Sequence, residues 1–196
     1  LAATLGTGWT TPAMAAKTLE AKRFIPPAIG TKWTYRHLDG RTEKLERIEN
    51  GSWGGTRIVR YRREIEDEPI KIRGFSGLYG TWVVDFDEAE QGIFAADPDD
   101  RRYRWPLAPR LYWKTKYELR DPTTDERRMA KADWRVEAFE RIPVPGGRTI
   151  AVRLLGAGKK PQKVWFSEHL GIRTRVQTFK KDEMIKEKVL TSYTRT

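Results

Sequence analysis

The chain has 196 residues, and its 38 lysine and arginine residues against 27 aspartate and glutamate residues give a formal net charge of +11 at pH 7. This length suits one hydrophobic core, and the charge favours either high solubility or contact with polyanions such as nucleic acid and anionic lipid. The absence of cysteine excludes disulfides, thiolate metal sites and cysteine nucleophiles within these residues, and we expect a soluble form rather than one anchored through a lipid-modified cysteine.

The first sixteen residues, 1–16, carry no charge and end in small side chains. Ala13 and Ala15 stand at the A-x-A spacing of a signal-peptidase site, so we predict a remnant of a secretory signal peptide here. The alternative is a short disordered or helical N-terminus, with a helix over Ala13 to Phe24. No segment reaches the roughly 18 apolar residues of a membrane-spanning helix. We therefore predict a soluble periplasmic protein with a single antiparallel β domain over residues 17–196.

Alternation with a period of two, which is typical of β-strands, dominates from Trp33 onward. The clearest apolar sets are Trp82, Val84 and Phe86; Trp113, Thr115, Tyr117 and Leu119; Trp134, Val136, Ala138 and Ile142; and Ile150, Val152 and Leu154. Turns rich in glycine, asparagine and proline separate these runs, so we predict at least eight antiparallel strands. Two segments stay ambiguous: residues 41–49 have a spacing that also suits a helix, and residues 125–131 suit either a helical turn or a solvated loop.

Opposite charges occupy neighbouring segments in the middle of the chain. Residues 85–100 hold seven acidic side chains and no basic one, whereas residues 101–120 hold seven basic side chains and one acidic one. Asp97, Asp99 and Asp100 offer calcium ligands but lack the ligand spacing of an EF-hand loop. We interpret this cluster as a turn and predict no metal site.

The basic segment interleaves arginines with Tyr103, Trp105 and Trp113, a pattern that also occurs on surfaces binding single-stranded nucleic acid. Trp105 precedes a proline and Trp113 belongs to the inward face of its predicted strand. We therefore expect these aromatic side chains in the core, and nucleic acid is not a predicted partner.

No catalytic pattern is found in the sequence. His37 and His169 are the only histidines, and Glu168 does not form an acid–base couple with His169, because neighbouring side chains of a strand point apart. No serine lies in a G-x-S-x-G elbow. We predict structural or solvent-exposed roles for both histidines, no cofactor and no enzymatic activity.

Five tryptophans lie on strand-like runs, where they either fill the core or line a ligand cleft. The candidate ligand-binding residues are these tryptophans and two arginines of a late strand: Trp33, Trp82, Trp113, Trp134, Trp165, Arg173 and Arg175. The arginines would attract an anionic headgroup.

The segment Trp165-Phe166-Ser167-Glu168-His169-Leu170-Gly171 forms a predicted corner between two strands. It resembles the W-F-S-x-x-L-G corner of an uncharacterised bacterial periplasmic family, and the run from Trp105 to Trp113 is similar to that family's proline-leucine turn. The chain also resembles the related secreted half-barrel proteins of Gram-negative bacteria, among them the outer-membrane lipoprotein carrier and receptor of the Lol pathway. The resemblance covers mainly residues 105–193. It implies an all-β, mainly antiparallel fold, built as a strongly curved open sheet or half-barrel with a short N-terminal helix.

These observations predict a periplasmic binding or carrier module for a hydrophobic or amphiphilic anionic ligand, such as a lipid or lipoprotein. An anionic membrane surface is a further candidate partner. The alternative is an envelope assembly protein with a filled core that contacts an acidic partner.

Overall fold

The computed structural model describes residues 20–89, 91–97, 102–121, 124–158 and 160–196. Within these ranges the chain forms twelve strands and no helix. The strands are β1 (Lys32–His37), β2 (Thr42–Trp53), β3 (Thr56–Ile65), β4 (Lys71–Ser76), β5 (Trp82–Phe86), β6 (Gly92–Asp97), β7 (Tyr112–Arg120), β8 (Arg127–Val144), β9 (Gly147–Ala157), β10 (Gln162–Ser167), β11 (Ile172–Lys180) and β12 (Glu183–Thr194). None of the described segments has the length and hydrophobicity of a membrane-crossing helix.

The sheet closes on itself, because β1 pairs antiparallel with β2 on one side and with β12 on the other. The prediction of an open sheet or half-barrel is therefore wrong, whereas the all-β, antiparallel class is confirmed. Strand twist accumulates over twelve strands, and β-bulges in several of them add curvature, so that the first and last strands meet. Pairing between the two ends of a chain leaves no local signal in its sequence.

β-Bulges also change the face on which some predicted side chains lie. β7 alternates as predicted, with Trp113 buried between exposed neighbours. In β8, a bulge between Val136 and Ala138 moves Ala138 off the inward face, and Phe139 pairs with Val152 instead. Alternation alone therefore predicts the strand but not its full inward set.

The remaining segment predictions have mixed outcomes. Residues 42–49 lie in β2 and residues 127–131 open β8, so most of each ambiguous segment is strand, whereas Asp125 and Glu126 precede β8 outside any strand. The helix predicted to end at Phe24 is not found in its described part, where Ala21 instead forms an isolated antiparallel bridge to Leu107. Residues 1–19 and residues 98–100, which include Asp99 and Asp100, lie outside the described residues.

Aromatic side chains fill much of the barrel interior. Trp113 of β7 and Trp134 of β8 are directly paired, and each is 4% exposed. Gly156 of β9 lies opposite Trp134, and the indole ring covers it. A tryptophan buries a large area, so this close fit contributes substantially to stability.

We expect Gly156→Ala to lower the free energy of unfolding by about 1–3 kcal/mol, because the added Cβ would lie 2.5 Å from the Trp134 ring. Gly158→Ala is the matched control, since the nearest atom to its Cβ would be 3.6 Å away. Denaturant titration of both variants measures the difference. Equal losses would show that the Trp134 contact is not the cause.

The corner Trp165–Gly171 is stabilised by hydrogen bonds of its serine. The Ser167 hydroxyl lies 2.8 Å from that of Thr149 and accepts a hydrogen bond from the Leu170 backbone N–H at 3.3 Å. The Gly171 N–H donates to the Ser167 carbonyl at 2.9 Å. Ser167 therefore shapes the turn, which explains its place in the motif.

The same corner holds the N-terminal segment, residues 20–27, across one end of the barrel. A carboxylate oxygen of Glu168 accepts hydrogen bonds from the backbone N–H groups of Lys22 at 2.8 Å and Arg23 at 3.3 Å. Phe24 is buried, with its ring against Gly80 and 6.3 Å from that of Phe166. The segment thus covers the interior at this end.

Candidate functional site

A cavity of about 60 Å³ lies inside the barrel beneath the N-terminal segment. This volume is room for a few water molecules or one small polar group. Its wall contains three basic and seven aromatic side chains and no carboxylate: Arg73, Arg173, Lys188, Phe24, Trp33, Tyr35, Tyr61, Phe75, Tyr103 and Phe166. We call it the cationic cavity.

Strand pairing explains how distant residues meet here. Directly paired residues share a face of the sheet. Lys188 of β12 is paired with His37 of β1, and Tyr35 of β1 is paired with Glu43 of β2. Barrel closure therefore brings Lys188 of the last strand close to Glu43 of the second strand.

Glu43 lies behind Lys188 and is 1% exposed. One of its carboxylate oxygens is 2.8 Å from the Lys188 ammonium and 3.1 Å from Nε2 of His37. The other accepts a hydrogen bond from Nε of Arg63 at 2.8 Å. We call these four residues the Glu43 cluster.

The pKa values of this region follow from burial and charge. Burial alone would raise the pKa of Glu43, but the charge of Lys188 and hydrogen bonds from its neighbours hold it well below its ordinary value. Burial lowers the pKa of Lys188 to about 8, with Arg173 and Arg73 acting in the same direction and Glu43 opposing them. Lys188 therefore remains mainly protonated at neutral pH.

The two arginines of the wall are oriented by neighbouring side chains. Nε of Arg173 donates to the Tyr103 hydroxyl at 2.8 Å, and Nε of Arg73 donates to Asp85 at 2.8 Å. Both guanidinium groups lie within 6 Å of the Phe75 ring centre. Contacts of this kind hold planar guanidinium groups in place.

Tyr35 and Tyr61 present neutral hydroxyls, because burial raises the pKa of each. The Tyr35 hydroxyl donates to the Arg173 carbonyl at 2.5 Å. Its ring lies under the Lys188 ammonium, 4.4 Å from the ring centre. The cavity therefore combines positive charge with aromatic surface, which suits an anionic group attached to an apolar one.

Two of the seven predicted ligand-binding residues, Trp33 and Arg173, line the cationic cavity. Trp113 and Trp134 pack against each other elsewhere in the interior. Trp82 stacks on Phe94 with ring centres 5.6 Å apart and donates its N–H to Asp85.

Trp165 and Arg175 lie together on the outer face of the barrel. They are directly paired, and the guanidinium lies 5.2 Å from the centre of the indole ring. The Trp165 N–H donates to Glu140 at 3.0 Å, and Arg175 pairs with Glu187 at 2.6 Å. The structure thus separates Arg173 from Arg175, and ligand binding by any of the seven stays a prediction.

Sequence reasoning missed Lys188, Arg73 and Glu43. One signal was present: with residues 41–49 taken as a strand, alternation places Glu43, Leu45 and Arg47 on one face. An acidic residue on an inward face indicates a buried cationic partner. Which cation meets it depends on barrel closure.

The two histidines have different surroundings. His37 belongs to the Glu43 cluster, and His169 is exposed at the corner after β10. Among the described residues, no group of three or more histidine, aspartate and glutamate side chains is arranged to hold a metal ion.

The fold and the site define a closed, twelve-stranded antiparallel barrel with a charged interior cavity. No family model and no curated protein matches the chain. Two solved structures each align with the chain at a TM-score of 0.48 and 11% identity. One is a candidate lipoprotein from Parabacteroides distasonis, and the alignment covers 88% of this chain and 99% of that protein. The other is a candidate exported protein with a YmcC-like fold from Bacteroides fragilis, and the alignment covers 89% of this chain and 100% of that protein. Neither is described as a Lol carrier or receptor, and that resemblance stays a prediction.

Proposed function

We propose that this protein is a binding module of the bacterial envelope that holds its ligand through an anionic group, a carboxylate or a phosphate, in the cationic cavity. The supporting observation is a wall of three basic and seven aromatic side chains without a carboxylate. Removing cations from water costs free energy. An anion placed among Arg73, Arg173 and Lys188 offsets part of that cost and gains charge-assisted hydrogen bonds.

The size of the cavity supports an amphiphilic ligand. About 60 Å³ holds an anionic group but not an acyl chain, since sites for larger ligands span about 300–1,000 Å³. An open groove of about 1000 Å³ lies next to the cavity, because Tyr79 lines the groove and the following residue, Gly80, lines the cavity. In this proposal the anionic group occupies the cavity and the apolar part of the ligand extends toward the groove.

The proposal is one of binding rather than catalysis. Three partners hold Glu43 in its ionised form, which makes it a poor proton acceptor. Lys188 is mainly protonated at neutral pH, which makes it a poor nucleophile. Export to the periplasm, predicted from residues 1–16, would place the module among anionic amphiphiles.

Titration calorimetry with octanoate tests the proposal, with octanol as the uncharged comparison. We expect octanoate to bind and Arg173→Gln to weaken it about tenfold or more, because the variant removes one of the three cations of the wall. Arg175→Gln is the matched control, since Arg175 is two residues away on the outer face of the same strand. It should bind octanoate as the unaltered protein does.

Three results would contradict the proposal: no binding of octanoate, equal binding of octanol, or equal losses in the two variants. The melting temperature of each variant, measured in parallel, identifies any loss that comes from unfolding.

A second candidate is an envelope assembly protein with a filled core. The observation that favours it is the tight packing of the interior, where Trp33, Trp113 and Trp134 are each 4% exposed. Co-purification of an acidic protein in stoichiometric amount, with no octanoate binding, would support this candidate instead.

A further inference from the structure

The two ends of the barrel carry opposite charge. One end is formed by residues 20–31, 54–55, 77–81, 102–111, 145–146, 168–171 and 195–196, which connect or flank the strands there. In its described residues, the charged side chains are Lys22, Arg23, Arg102, Arg104, Arg110 and Arg195 against Glu20 and Glu168. We call this the basic end.

The connections at the opposite end are mainly acidic. In their described residues, the carboxylates are Asp39, Glu66, Asp67, Glu68, Asp87, Glu88, Asp121, Asp125, Glu126 and Asp182, against Arg41, Lys160 and Lys181. Because successive strands are antiparallel, alternate connections lie at opposite ends of the barrel, and the basic and acidic connections are separated along its axis. This acidic end would turn away from any anionic surface that the basic end approaches.

The basic end also exposes large apolar side chains. Leu78 is 68% exposed, Tyr79 40% and Ile25 48%. They lie near one another, because Pro26 lines the same groove as Leu78 and Tyr79. The indole N–H of Trp105 donates to the Tyr79 carbonyl at 2.9 Å, which adds a second amphipathic ring.

We propose that the basic end docks on an anionic lipid surface, with Leu78 and Ile25 entering the headgroup region. Charge complementarity favours this partner: the exposed Arg57 lines the same groove as Leu78 and Tyr79, and Lys22, Arg23, Arg104 and Arg110 are exposed at the same end. Tyrosine and tryptophan are the side chains that favour the membrane–water interface. The cationic cavity lies at the same end, beneath Phe24, but the docking inference does not depend on its ligand.

Co-sedimentation of the full 196-residue chain with vesicles tests the inference. We expect binding to vesicles of phosphatidylcholine mixed with phosphatidylglycerol, weak binding to phosphatidylcholine alone, and a decrease with added salt. Leu78→Asp should weaken binding to the mixed vesicles about tenfold. Leu38→Asp is the matched control, because it introduces the same charge at a leucine that is 55% exposed at the acidic end. It should leave binding nearly unchanged.

Equal binding to neutral and anionic vesicles, equal losses in the two variants, or no vesicle binding would overturn the inference. Capture of a protein partner through Leu78 without vesicle binding would also overturn it. Octanoate binding by the unaltered protein is measured without vesicles, so failure of docking and failure of the cavity proposal remain distinguishable.

Discussion

Replacing Glu43 with glutamine should lower the free energy of unfolding by about 3 kcal/mol or more. Glu43 is 1% exposed and pairs with both Lys188 and Arg63, so the variant leaves two cations, with side chains 20% and 16% exposed, without their shared carboxylate. Glu46→Gln is the matched control on the same strand. Glu46 and Lys32 are 3.5 Å apart, with side chains 36% and 66% exposed, and a solvent-accessible pair contributes at most about 1 kcal/mol.

The pH dependence of this difference follows from the lowered pKa of Glu43 in the folded state. A lowered folded-state pKa contributes stability that is present above the unfolded pKa, about 4.3, and is lost as the pH falls below it. The difference in free energy of unfolding between the unaltered protein and Glu43→Gln should therefore have its full size at pH 7 and be smaller under acidic conditions. Denaturant titration at neutral and acidic pH measures it. A loss no larger than that of Glu46→Gln would contradict the buried cluster.

Replacing Gly171 with alanine should have a comparable effect, about 3 kcal/mol or more. Gly171 has φ +68°, and the added Cβ would lie 2.2 Å from the Ile25 carbonyl oxygen, a backbone atom that no rotamer change can move. The substitution therefore combines left-handed strain with displacement of the N-terminal segment from the barrel end.

Gly146→Ala separates these two causes. Gly146 has φ +84°, but nothing lies within 4 Å of its added Cβ, so this variant should lose only about 1–2 kcal/mol. Thermal unfolding measures both. Trypsin provides a second readout, because Lys22 and Arg23 should be cleaved faster in Gly171→Ala than in Gly146→Ala. Equal losses and equal cleavage would contradict the anchoring role of the corner.

The sequence predicts the strands well because alternation and turn residues are local signals. Trp113 to Leu119 falls within β7, and the corner Trp165–Gly171 separates β10 from β11. Closure is not predictable in this way, since β1 and β12 lie at opposite ends of the chain. Bulges such as that between Val136 and Ala138 likewise move side chains to the other face of the sheet without a clear local signal in the sequence.

The candidate site was harder to predict for the same reason. Arg173 and Trp33 are identified from residue type. Lys188 reaches the cavity through the closure between β12 and β1, and Arg73 through its pairing with Tyr61 of β3, which also lines the cavity. Arg173 and Arg175 are indistinguishable by composition. A β-bulge separates them: Arg173 pairs with Phe166 and Arg175 with the adjacent Trp165, so that Thr174 is the extra residue and the two arginines lie on opposite faces.

Native mass spectrometry tests the central claim, that the cationic cavity holds an anionic group, most directly. The protein should be exported to a bacterial periplasm and purified without detergent or refolding, with Arg173→Gln and Arg175→Gln prepared in the same way. We expect an added mass in the unaltered protein and in Arg175→Gln, which organic extraction releases as an anionic amphiphile, and no added mass in Arg173→Gln. An unliganded mass for the unaltered protein, or the same bound mass in Arg173→Gln, would contradict it.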